Sequence, residues 1–335
     1  MTPAMVGIDE VRELAQQARL ADTYGPLVVI KEAVADPELT FDPLLLGAEP
    51  CVVVGSDLSA SSPDERELII ANVARMPIAA VTTCQLIRAT VAMSTMSTMS
   101  TMSAHGTNTE ARLLLESTTY STLQSGPEFG RWYAERQERI AARTAPTKAE
   151  LGPAVLLERV DHELHIFLNR GPHGNAVNRQ LRDDLCEVLA LCMNDPSIST
   201  VVLRGNGPHF CTGGDLDEFG SFANPADAHI IRTQRSPTRM LAALNGHVHR
   251  HAILHGNCAG SGVELAAFAD HVEAHPTATF WLPELSLGLV PGAGGTVSIV
   301  NRISGPRTTW LLLTGTRINA PTALEWGLID AIRTD

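Results

Sequence analysis

His209-Phe-Cys-Thr-Gly-Gly-Asp-Leu216 and Cys258-Ala-Gly-Ser-Gly-Val-Glu-Leu265 decide how this chain is read. Each is a glycine-rich turn followed by sequence that can open a helix. Glycine brings the backbone close to a ligand because no Cβ intervenes, and a helix start adds the positive end of its dipole. Two such turns can aim two N–H groups at one oxygen, as an oxyanion requires. The second turn carries Glu264, and twenty residues on, Glu284 stands in Leu282-Pro-Glu-Leu-Ser-Leu-Gly-Leu-Val-Pro-Gly-Ala-Gly-Gly295. Two donors and two carboxylates point to enolate chemistry.

Working outward, the apolar run at 200–203 reads as a buried strand entering the first turn, and 248–254 feeds the second. Residues 155–160 and 165–168 read as strands joined by Asp161-His-Glu163, while 178–193 and a piece closing at 241–244 read as helices. Such alternation implies a layered α/β domain. Thr144-Ala-Pro-Thr-Lys-Ala-Glu150 is a linker, with the boundary near Pro153, so 1–150 forms an N-terminal extension and 151–335 the catalytic domain. In the extension, 8–20 has the spacing of an amphipathic helix, and Pro26–Ile30 and Cys51–Val54 look like buried strands. Ser62-Pro-Asp-Glu65 combines a cap residue, an early proline and acids, a strong helix start. The Met-Ser-Thr repeat over 93–103 is a low-complexity linker or a mediocre helix, and 110–143 is helical with a break at Gly126-Pro127.

The net charge of −12 and 4% aromatic content exclude a nucleic-acid groove, leaving a small-molecule partner. Six scattered cysteines without a C-x-x-C pair read as reduced thiols rather than a zinc site. Neither a signal peptide nor an apolar run of membrane-spanning length is apparent, so the expectation is a cytoplasmic chain with no membrane partner. In Gly246-His-Val-His-Arg-His251, three imidazoles share one strand face; a metal site and an ordinary polar face both fit, and with no acid or thiolate adjoining, the expectation is no metal. Cys211 with His209 as nucleophile and base is the weaker alternative.

From 155 to 332 the chain resembles the crotonase superfamily of enoyl-CoA hydratases and isomerases. The resemblance rests on Leu168-Asn-Arg170 with Asn175-Ala-Val177, Phe210-Cys-Thr-Gly-Gly-Asp-Leu216 and Gly260-Ser-Gly-Val-Glu-Leu265 with Asp270. Pro283-Glu284 with Gly288-Leu-Val-Pro-Gly-Ala-Gly-Gly295, and Leu313-Thr-Gly-Thr-Arg-Ile318 with Gly327-Leu328, complete it. It implies a crotonase-like ββα spiral and an acyl-CoA thioester as substrate, with coenzyme A present only as part of that substrate and no separate cofactor. It also implies a homo-oligomer, trimer or hexamer. The oxyanion donors would be the N–H groups of Gly214 and Ser261. Glu264 would act as base on a water shared with Glu284, which would handle the proton at C2. Ala176, Gly213, Asp215, Leu216, Gly260, Pro291 and Gly292 would line the substrate site.

Two acids favour hydration over isomerisation, which needs one; a non-catalytic partner subunit is the alternative from another class. Members of the family usually continue into C-terminal helices that cap the pocket, whereas this chain ends at Asp335, and Asp217 stands where a lysine is frequent. The N-terminal extension is expected to compensate, with 110–143 over the pocket. The order 52–58, helix, then 75–81 in place of a strand reads as a degenerate copy of the catalytic unit. Gly292-Ala-Gly-Gly295 is expected to be a turn at a helix N-terminus, supporting the Glu284 segment.

Overall fold

The computed structural model describes residues 4–6, 27–30, 51–54, 62–98, 104–141, 152–222 and 224–333. The expected helix over 8–20, the linker 144–150 and residues 99–103 of the Met-Ser-Thr repeat lie outside them. Three short parallel strands, β1 (Ala4–Val6), β2 (Leu27–Ile30) and β3 (Cys51–Val54), form a small sheet in chain order. Helix α1 (Pro63–Arg75) starts where the sequence places it: the Ser62 hydroxyl accepts from Glu65 N–H, and the Glu65 carboxylate accepts from Ser62 N–H at 2.7 Å. Three more helices follow, α2 (Pro77–Thr98), α3 (Ala104–Gln124) and α4 (Pro127–Ala141). The break between α3 and α4 falls at the expected Gly126-Pro127, but 77–98 is helix throughout, where the internal-copy reading needs a strand.

The linker and boundary lead into β4 (Val155–Val160) and β5 (Glu163–Leu168), an antiparallel hairpin, then α5 (Arg179–Asn194) capped by the Asn178 side chain. Next come β6 (Thr200–Gly205), α6 (Pro225–Gln234), α7 (Pro237–Ala243), β7 (His249–Leu254), β8 (Asn257–Ala259) and α8 (Ser261–Ala266). The chain finishes with β9 (His271–Ala274), β10 (Thr279–Trp281), α9 (Gly295–Thr314, kinked at Ser304), β11 (Ile318–Asn319), α10 (Ala320–Trp326) and β12 (Ala331–Ile332). A six-stranded sheet runs β12-β9-β7-β6-β5-β4, parallel except at the β4/β5 edge, and a second sheet runs β11-β10-β8.

β6 and β8 end in the two glycine turns, and β10 ends just before Glu284. All three deliver their chemistry from carboxyl ends, the usual ligand-bearing side of a parallel sheet. The core under these ends is apolar: Phe210, Phe280, Leu203, Ile166 and Leu168 are fully buried. Helices α1, α2 and α3 pack on α9. No single described helix is long and apolar enough to cross a membrane.

Candidate active site

The two glycine turns lie side by side. Cys211 and Cys258 form a parallel bridge, Ala259 N–H donates to the Cys211 carbonyl at 3.0 Å, and Val177 bridges to Gly214. Gly213, with φ of 102°, sits so close to the second turn that a Cβ there would be 3.2 Å from the Ala259 carbonyl oxygen. Gly260 has φ of 46°, and a Cβ there would be 2.6 Å from a Glu284 carboxylate oxygen. Glycine at 260 is therefore what lets Glu284 stand beside the second turn. The N–H groups of Gly214 and Ser261 donate to no protein group among the described residues, and both face one cavity of about 280 Å³. Helix α8 places Glu264 one turn in.

Gly213, Asp215, Leu216, Gly260, Gly292, Glu264 and Glu284 also line this cavity. Two expected lining residues do not. Ala176 and Pro291 are not among the lining residues; the Ala176 carbonyl accepts from the Arg170 guanidinium, and Gly292 and Ala293, next to Pro291, line the cavity in its place. Asp215 is occupied by Arg170 at 3.0 Å, which fixes the first turn to the 170–177 loop. Asp217 pairs with Arg136 of α4, so the position at which the family resemblance implies a lysine instead fastens the N-terminal helices to the first turn.

Both acids are buried, Glu264 at 1% exposure and Glu284 at 7%. They differ in their partners. One Glu264 oxygen accepts from Ala293 N–H at 2.7 Å and Gly295 N–H at 2.9 Å. The expected turn at Gly292-Ala-Gly-Gly295 thus exists at the N-terminus of α9, but it holds Glu264 rather than the Glu284 segment. Glu284 follows Pro283 in a short 3-10 helix and has one oxygen with no hydrogen-bond partner. Burial pushes its carboxyl up to about 8. Burial, then the neighbouring Glu284 and Glu116 carboxylates, raise Glu264 well above the ordinary range, against the pull of its two N–H donors. Two such acids in one dry site cannot both ionise cheaply, so they share protons. They differ in support: Glu264 has two N–H donors at a helix N-terminus, whereas Glu284 keeps one buried oxygen with no partner.

Sequence reading missed four side chains, all delivered by the N-terminal helices or the connection they cover. Tyr120 and Gln124 of α3 line the cavity, and the Arg232 guanidinium of α6 lies 4.2 Å over the Tyr120 ring. Glu116, 2% exposed, accepts from Gly294 and Thr296 N–H and from the Thr296 hydroxyl. The only signal was the i, i+4, i+8 spacing of Arg112, Glu116 and Tyr120, which puts all three on one helix face.

The alternative constellations separate from the site. Cys211 is fully buried with its thiol pushed up to about 12 by burial, and the His209 ring accepts from Asn257 N–H instead. His247 precedes β7. His249 and His251 face outward on β7, where His251, His271 and Glu273 converge within 4.8 Å at a different hollow, with Arg333 3.4 Å from Glu273. Cys84, Cys186, Cys192, Cys211 and Cys258 are unbridged.

A profile of the enoyl-CoA hydratase/isomerase family matches residues 163–335. The chain belongs to the enoyl-CoA hydratase/isomerase family. Among curated relatives, it is 32% identical over 177 residues to an enoyl-CoA isomerase/hydratase of Mycosarcoma maydis, covering 50% of this chain and 64% of that protein. It is 33% identical to the 2,3-dehydroadipyl-CoA hydratase of Escherichia coli K12, covering 53% of this chain and 68% of the relative. Of solved structures, an enoyl-CoA hydratase from Thermoplasma volcanium matches with a TM-score of 0.51 at 29% identity, over 55% of this chain and 73% of that one. The crotonase fold is therefore that of the 163–335 region, and the chain spans about two thirds of these relatives.

The raised carboxyls give this hydratase/isomerase family member a distinctive pH dependence of stability. Glu284 titrates near 4.5 when unfolded and about 8 when folded. Between those values the folded chain binds a proton that the unfolded chain does not, so stability falls as pH rises, by about 1.4 kcal/mol per unit for this group. Glu116, raised to about 7, adds to the fall over a narrower window. The urea midpoint is expected to drop from about pH 5 to about pH 8, and the drop to be shallower in Glu284→Gln. An equal slope in the variant would contradict the raised carboxyl.

Proposed function

We propose that the chain hydrates a 2-enoyl-CoA thioester, or dehydrates the 3-hydroxyacyl-CoA, through an enolate. The thioester carbonyl accepts from the Gly214 and Ser261 N–H groups, which stabilise the developing oxyanion. Glu264, ionised, takes a proton from the water that adds at C3, and Glu284, protonated, delivers its proton to C2. Dehydration runs the same path backward. The reading needs no cofactor beyond the coenzyme A carried by the substrate. One observation carries it: two N–H groups without protein partners open onto the same cavity as two buried carboxyls with unequal hydrogen bonding.

A second reading is isomerisation, with Glu284 alone moving a proton between C2 and C4. It is favoured by the single free oxygen of Glu284 and by the tight hold on Glu264. The test has two arms. Acetoacetyl-CoA, whose enolate matches the donors, is expected to raise the melting temperature at concentrations well above its Kd. Incubation with crotonyl-CoA is expected to yield 3-hydroxybutyryl-CoA. Binding without hydration, together with conversion of a 3-enoyl-CoA, would establish the isomerase reading; no binding would leave a non-catalytic subunit.

A further inference from the structure

We infer that Glu116 is a positioning residue for Glu264: from helix α3 it fixes the turn Ala293–Thr296 so that every second N–H of that turn is left facing the Glu264 carboxylate. The four hydrogen bonds interleave. Ala293 N–H goes to Glu264 at 2.7 Å, Gly294 N–H to Glu116 at 2.7 Å, Gly295 N–H to Glu264 at 2.9 Å, and Thr296 N–H to Glu116 at 2.9 Å. The first turn of a helix has N–H groups with no partner inside the helix. Here two carboxylates from distant parts of the chain divide them, one from each side.

The packing leaves the turn little other choice. Gly294 has φ of 93°, and a Cβ there would be 2.5 Å from the Phe268 ring; a Cβ on Gly295 would be 2.7 Å from the Glu264 side chain. One turn beyond Glu116, the Tyr120 ring lies where a Cβ on Gly292 would come within 2.6 Å. Glu116 and Tyr120 therefore clamp 292–296 from above while Glu264 takes it from below. If Glu116 lets go, Gly294 and Thr296 lose their acceptors, and the alternation that aims Ala293 and Gly295 at Glu264 has nothing to hold it.

The charges around Glu116 come from every side. Arg112 and Tyr120 share its helix, Arg232 of α6 lies over the Tyr120 ring, and His229 reaches the same helix through the Ser117 hydroxyl at 2.9 Å. Glu264 of α8 and Glu284 of the 3-10 helix complete the set, and the Glu116 charge raises both.

Glu128 serves as an internal control. It is another buried acid of the N-terminal helices, accepting from Ile78 and Ala79 N–H at the start of α2 rather than from the 293–296 turn. Amide hydrogen exchange on the full chain separates the cases. Glu116→Gln keeps the volume and loses the charge; it is expected to speed exchange at Ala293 and Gly295 by about tenfold, beyond its direct partners Gly294 and Thr296. Glu128→Gln is expected to speed exchange at Ile78 and Ala79 and leave 293–296 unchanged. Acceleration confined to Gly294 and Thr296 would overturn the inference.

The kinetic arm rests on the acid and base roles proposed above. There Glu116→Gln is expected to lower kcat about tenfold with KM within about threefold, and to move the Glu264-dependent limb of the pH profile. Loss of kcat with that limb unmoved would mark Glu116 as a structural residue only. If Glu264→Gln retains full activity, the proposed chemistry fails, and the exchange experiment still decides the role of Glu116.

Discussion

Glu284→Gln is expected to lower crotonyl-CoA hydration by about 10²–10⁴-fold, the usual worth of a positioned acid or base, while leaving acetoacetyl-CoA binding in place. The substitution suits the site. One Glu284 oxygen has no partner to lose, and the amide removes a carboxyl that burial holds at about 8. Glu264→Gln is expected to cost a similar factor. Because a single Glu264 oxygen accepts both N–H bonds, an amide oxygen can take both, so the turn at 293–295 survives the change. Steady-state rates across a pH series, with melting temperatures on the same samples, check both variants. A water held between the two acids requires both to fail; loss in only one contradicts it. Wild-type activity is expected to decline above about pH 8, where the Glu284 proton is lost.

Gly262→Ala is expected to cost both stability and rate. A Cβ at this position would lie 2.2 Å from the Cys211 carbonyl oxygen and 2.9 Å from the Cys211 Cβ, so backbone must move. The atoms that must move are the two glycine turns themselves. Overpacking of this kind costs about 1–3 kcal/mol, and parting the turns displaces Ser261 N–H from Gly214 N–H. Loss of one oxyanion donor lowers kcat by about 10²–10³-fold. Urea denaturation and kcat together check the claim. Gly130→Ala is the contrast: it sits inside helix α4 with nothing near its would-be Cβ, and is expected to add about 0.4–1 kcal/mol. Unchanged kcat in Gly262→Ala would mean that the separation of the turns does not set the donors.

What the sequence made legible was whatever depends on neighbours. Ser62 and Glu65 form their capping box within four residues, and the second glycine turn carries its strand and helix beside it, whereas the first is followed by turns and opens no helix before Pro225. Ile78-Ala-Ala-Val81 was harder, because a short apolar run fits a strand or a buried helix equally, and packing against α9 decided for helix. Gly292-Ala-Gly-Gly295 was assigned to Glu284, its neighbour in sequence, when its N–H groups belong to Glu264 and to Glu116. Ala176 and Pro291 rest on the family resemblance alone, and their neighbours Val177 and Gly292 line the cavity in their place. Glu116 shows locally only through its spacing with Arg112 and Tyr120, because its partners stand 178 and 180 positions away.

That span of 178 residues sets an order of events during synthesis. Helices α1–α3 leave the ribosome well before α9, the element they pack on, has been made. Until then Ile69, Val73 and Leu113 have no permanent cover, and Glu116 has no N–H groups to receive. Long-range closure of this kind is slow and leaves apolar surface open to aggregation. The Glu116 contacts with the 294–296 turn cannot form until translation has passed Thr296.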